Sequence, residues 1–107
     1  MPRDHLGEFE QIVLLAVLRL GDDAYGVPIR REISRRARRQ ITIGGLYTTL
    51  DRLESKGLLS SKAGDPTPER GGRSKRYFGI TAAGLRALRN SRAALNAMWE
   101  GLEAYGS

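Results

Sequence analysis

The 107-residue chain has no cysteine, and its only histidine is His5, near the amino terminus. The first absence excludes disulfides, thiolate zinc sites and cysteine nucleophiles, and nothing marks an oxidising compartment. The second leaves a single imidazole, whose place near the terminus favours a disordered or solvent-facing role over a triad, and the carboxylates are scattered without metal-ligand spacing or a phosphate-cradling loop. An enzyme is therefore not expected, nor is a cofactor. Long apolar runs are missing too: the longest, Ile12 to Leu18, falls well short of the roughly 18 residues a membrane span needs, and no signal-peptide cleavage pattern follows it. The expectation is a soluble, cytoplasmic protein with no membrane partner.

What the chain has is basic charge and helical periodicity. Eighteen Lys and Arg face twelve acidic residues, a net charge of +6, which suits a partner rich in phosphate. The length allows one small core. From Leu6 to Leu20 ten of fifteen residues are apolar, too many for a single stripe, so this helix should be covered on two sides, one of them by a partner chain. Asp22 and Asp23 offer caps for a second helix, about Tyr25 to Ala37, with Pro28 in its first turn. Arg30, Arg31, Arg35, Arg36, Arg38 and Arg39 crowd its second half, either as a solvated face or as an addition to a nucleic-acid surface. A third helix starts at a Thr42 cap, repeats Ile43, Leu46, Leu50 and Leu53 on one face, and ends at Gly57. Its other face carries Gly44, Thr48, Asp51, Arg52 and Ser55, with Tyr47 and Thr49 on the flanks and no large aliphatic residue.

After Gly57 the period changes to two. Leu58 to Ala63 and Lys75 to Ile80 read as strands, the second alternating Arg76, Phe78 and Ile80 against Lys75, Tyr77 and Gly79. Gly64 to Ser74 between them reads as an exposed loop with a basic tip. Thr81 caps a last helix whose Leu88, Ser91, Leu95, Met98, Leu102 and Tyr105 follow a 3.5-residue repeat, widened by Leu85 and Trp99. Two over-apolar helices at opposite ends of the chain are best explained by mutual packing in a homodimer.

This order is that of a mainly α (α+β) winged helix-turn-helix with a C-terminal dimerisation helix. It divides the chain into a DNA-binding domain, 1–80, and a dimerisation helix, 81–107, packed with helix 6–20. The third helix takes the reading role in the major groove of double-stranded DNA. Thr42, Gly44 and Gly45 open its first turn, where glycine lets backbone amides approach a phosphate. Thr48 and Thr49 suit base edges, Tyr47 suits a phosphate or simply flanks the core, and Arg52 suits phosphate or guanine. In the wing, Arg70, Arg73, Lys75 and Arg76 surround Gly71 and Gly72 as a cationic patch.

The sequence resembles the PadR-like family of bacterial transcriptional regulators. The resemblance rests on Leu14-Leu-Ala-Val-Leu18 with Tyr25-Gly26, on Gly45-Leu-Tyr-Thr-Thr-Leu50 with Arg52-Leu53-Glu54 and Lys56-Gly57-Leu58, and on Arg70-Gly-Gly-Arg-Ser-Lys-Arg-Tyr-Phe78 with Ile80-Thr81 and Gly84. It implies a dimeric repressor that binds an inverted-repeat operator through the third helix and wing. It implies dimerisation through the first and last helices, which places Phe9, Val13, Leu88, Leu95, Met98, Trp99 and Leu102 at the interface. It is to the short type: with the chain stopping at Ser107, the large C-terminal effector domain of longer members is not expected. Short members can hold a flat aromatic effector at the dimer interface, where Trp99 would meet it; packing in the dimer seam is the preferred reading of Trp99. The rival reading of the whole chain is a protein-interaction or small-molecule-sensing module that kept the fold without DNA activity. The cationic wing argues against it.

Overall fold

The computed structural model describes residues 6–66 and 74–106. Helix α1 runs Glu8–Leu20 and α2 Gly26–Ala37, joined by a 3₁₀ turn at Gly21–Asp23. Helix α3, Ile43–Ser55, is followed by an antiparallel hairpin, β1 Leu59–Pro66 with β2 Ser74–Ile80, and by α4, Ala82–Trp99. The chain is mainly helical with one two-stranded sheet, the winged helix-turn-helix class the sequence leads to. Arg70 and Arg73 of the expected basic tip lie outside the described residues.

Local chemistry sets most of these boundaries. The Thr42 hydroxyl accepts from Gly45 N–H at 2.9 Å to start α3, and Thr81 accepts from Gly84 N–H at 3.0 Å to start α4. Gly57, in the left-handed region at φ 78°, turns the chain from α3 into β1. Between α2 and α3, Arg38 takes a left-handed φ of 53°, and the tight turn is braced by Arg30 Nε donating to the Ile41 carbonyl at 2.8 Å.

Three expected boundaries move. Asp22 and Asp23 do not cap α2: they sit in the 3₁₀ turn, and Tyr25 occupies the cap position without a side-chain bond. Here a distant contact decides, because the Ala24 carbonyl accepts from Phe78 N–H at 2.8 Å and ties the helix entry to the wing. The hairpin takes in both ends of the expected loop, with Pro66 paired to Ser74 beyond an irregularity after Ala63. Helix α4 stops at Trp99, since Gly101 turns left-handed at φ 85°, so Leu102 and Tyr105 lie past the helix although they keep its apolar repeat.

One core fills the space between α1, α2, α3 and the base of the hairpin. Val13, Leu14, Ile29, Leu46, Leu50 and Leu53 are fully covered, and Leu58, Leu59, Phe78, Ala87 and Leu88 close it from the wing and α4. Each of these side chains except Ala87 contributes about 1.5–3 kcal/mol of transfer free energy. Only the first turns of α4 join this core. From Arg89 to Trp99 every residue but Ser91 is exposed, and the molecule extends 56 × 30 × 21 Å. Among the described residues no helix is long and apolar enough to cross a membrane, and no acidic or histidine cluster could hold a metal ion.

Candidate nucleic-acid interface

The outer face of α3 follows from its inner one. With Leu46, Leu50 and Leu53 in the core, a 100° step per residue leaves Gly44, Thr48, Asp51, Arg52 and Ser55 exposed. Gly44 has open space where a side chain would be, so the first turn of α3 presents bare main chain. Thr48 lies on this face with its hydroxyl donating to the Gly44 carbonyl at 3.0 Å, leaving its methyl and oxygen lone pairs outward. Arg52 is exposed and pairs with no carboxylate among the described residues.

Two predicted reading residues sit differently. Thr49 is buried, its hydroxyl donating to the Gly45 carbonyl at 3.2 Å, which turns it towards the core and off the outer face. Tyr47 is half-buried: its ring lies 6.4 Å from that of Phe78, and its hydroxyl end rests over Gly26, where a Cβ would overlap it. Glycine at the start of α2 thus makes the seat for Tyr47.

The wing meets the helices through paired side chains. Lys75 Nζ lies 4.4 Å from the centroid of the Tyr25 ring and 3.4 Å from its hydroxyl, and Tyr25 packs edge-on against Tyr77 at 5.3 Å. This Tyr25–Tyr77 platform escaped sequence reasoning, although the alternation that puts Lys75 and Tyr77 on one strand face was its signal. Arg76 reaches α3 instead, 2.9 Å from Asp51 and 2.5 Å from Glu54. Of the arginines around the end of α2, Arg35 and Arg36 pair with Glu32, and Arg39 pairs with Glu8. The face holding Gly44, Thr48 and Arg52, with Lys75 on the adjacent wing, is a ridge carrying donors and positive charge.

Residues 14–90 match the family model described as transcriptional regulator PadR-like. The chain belongs to the PadR-like family. Among solved structures it is similar to a PadR family transcription regulator from Clostridium difficile, with a TM-score of 0.71 and 21% identity over 92% of this chain and 99% of that one. A PadR family regulator from Eggerthella lenta gives 0.67 and 28% over 92% and 85%. A transcriptional regulator from Clostridium thermocellum gives 0.68 and 22% over 92% of each chain. No curated protein matches. The PadR-like family and these neighbours are transcriptional regulators, not enzymes.

In this PadR-like chain the residues expected at a dimer interface fall into two groups. Leu95, Met98, Trp99 and Leu102 are exposed along the outer part of α4 and just beyond it. Val13 and Leu88 are covered within their own chain, and Phe9 is half-buried beneath the Arg39 guanidinium, 5.9 Å from its ring centroid. The first helix does offer other apolar surface, Leu15 and Leu18, each nearly half exposed.

Proposed function

We propose that this chain is a sequence-specific, double-stranded DNA-binding repressor that acts in the cytoplasm as a homodimer on an inverted-repeat operator. The observation that carries the reading is the outer face of α3, where bare main chain at Gly44, the Thr48 side chain and Arg52, with no carboxylate partner among the described residues, stand beside Lys75 of the wing. A reading helix needs such a face: short polar groups for base edges, a cation for guanine or phosphate, and no aliphatic bulk. The wing supplies backbone contacts, with Arg70 and Arg73 of its tip expected to add to them. The C-terminal helix and α1 form the dimer, with Trp99 packed in the seam rather than holding an aromatic effector. Repression follows if the bound dimer occupies a promoter.

Selection of binding sites from random duplex DNA tests this directly. The expected product is a twofold-symmetric motif with half-sites one helical turn apart, about 34–36 Å. Recovery of no motif, with equal affinity for all duplexes, would remove both the operator and the repressor. A motif without symmetry would remove the dimer.

A further inference from the structure

Arg76 occupies a strand position that shares its face with Phe78 and Ile80, where the pattern calls for an apolar residue. Its guanidinium lies 4.8 Å from the centroid of the Phe78 ring. One terminal nitrogen is 2.9 Å from Asp51 Oδ1, the other 2.5 Å from Glu54 Oε1, and Nε donates to Ser61 Oγ at 3.3 Å. Ser61 in turn donates to Glu54 Oε2 at 2.8 Å. Both strands of the wing and the reading helix therefore meet in one closed polar network. The hydrogen bonds from Ser61 and then Arg76 hold the Glu54 carboxyl below its usual range. Burial alone would lower the Arg76 pKa, but Asp51 and Glu54 together raise it above its ordinary value.

This geometry commits the guanidinium to protein partners before any phosphate. Of its five N–H donors, three are engaged by Ser61, Asp51 and Glu54, on a side chain that stays 40% exposed. Turning it outward would leave two carboxylates unpaired on the flank of the helix that faces DNA, where phosphates would repel them. We propose that Arg76 is a positioning residue: it fixes the wing against α3 and neutralises Asp51 and Glu54, and the DNA-contacting cations are its neighbours Arg52 and Lys75. The inference rests on the DNA-binding reading above and deepens it.

The test is the salt dependence of duplex binding by the full chain, whose slope counts phosphates neutralised. Arg52→Gln is expected to reduce that slope by about 1. Arg76→Gln is expected to weaken binding several-fold with the wild-type slope, and adding Asp51→Asn and Glu54→Gln is expected to recover the part of the loss that the unpaired carboxylates cause. A role limited to holding the fold would lower the denaturation midpoint and leave the affinity of the folded protein unchanged. A slope lowered by Arg76→Gln as by Arg52→Gln, or no recovery in the triple variant, overturns the assignment. The triple variant carries no unpaired charge, so it decides even if Arg76→Gln alone does not fold: the wild-type slope supports the assignment, and a slope lower by one overturns it. Wild-type protein that binds no duplex overturns the DNA reading itself, and this inference with it.

Discussion

A methyl group on Gly84 would overlap the Leu58 carbonyl and come within 2.8 Å of Ile80 Cγ1. That carbonyl is fixed main chain, accepting from Thr81 N–H at 3.1 Å, so α4 could not keep its place on the hairpin. Gly84→Ala is therefore expected to cost about 1–3 kcal/mol, the range for overpacking, read as a lower denaturation midpoint. Gly44 is the opposite case, an exposed glycine in the first turn of α3 with nothing within 4 Å. Alanine there should stabilise the protein by about 0.5–1 kcal/mol, because glycine is the costlier helix residue. Nothing in the fold thus asks for this glycine, whereas the proposed close approach of DNA to the main chain would. Gly44→Ala is expected to raise the midpoint while lowering operator affinity about tenfold, roughly 1.4 kcal/mol. Unchanged affinity, measured by fluorescence anisotropy on a labelled duplex, would mean that DNA does not approach this turn.

Helix α1 is pinned to the end of α3 by one carboxylate. Glu10 accepts from Gly7 N–H at 3.0 Å and from Lys56 Nζ at 2.9 Å. Burial pushes its carboxyl up, but the Gly7 bond and the Lys56 ammonium outweigh burial and hold it below the usual range. Because the folded pKa is depressed, the contribution is present above the unfolded value of about 4.3 and is lost as pH falls through the folded one. Glu10→Gln should then cost about 1 kcal/mol at neutral pH, with the gap to wild type closing below about pH 4. A gap independent of pH would show that the charge plays no part. This pin joins residues 46 positions apart, which is why periodicity could not reveal it. The caps at Thr42 and Thr81 were legible because their partners lie three residues on. So was the outer face of α3, fixed by helical pitch once its leucines faced inward. The entry of α2 was not, since the Ala24 carbonyl is claimed by a strand 54 residues later. Nor was the partner of Arg76, although its place beside Phe78 and Ile80 marked it as inward-facing. The end of α4 misled for another reason: an apolar repeat can outlast the helix that carries it, and Gly101 ends the helix while Leu102 and Tyr105 continue the repeat.

At the scale of the molecule, the outer half of α4 is the least explained part of a lone chain. A segment from Arg89 to Trp99 spans only about 15 Å at 1.5 Å per residue, and isolated helices that short are marginal in water. Yet it carries Leu95, Met98 and Trp99 at 55%, 75% and 48% exposure, with Leu102 and Tyr105 just beyond. Leu15 and Leu18 of α1 offer apolar surface of the same kind. In the proposed homodimer a second copy of the chain would supply both surfaces at once, and a twofold arrangement would let each α4 cover the other copy's α1. With about 1.5–3 kcal/mol per apolar side chain taken from water, charges at two such positions should weaken association at least about 100-fold. The expected result is therefore a dimer by sedimentation velocity for the wild type and a monomer for Leu95→Glu with Met98→Glu, still folded because neither residue belongs to the core. The same variant should lose affinity for a full inverted repeat while binding a single half-site as the wild type does, since α3 and the wing are untouched. A wild-type monomer at micromolar concentration, or a glutamate variant that remains dimeric, would place the interface elsewhere or abolish it.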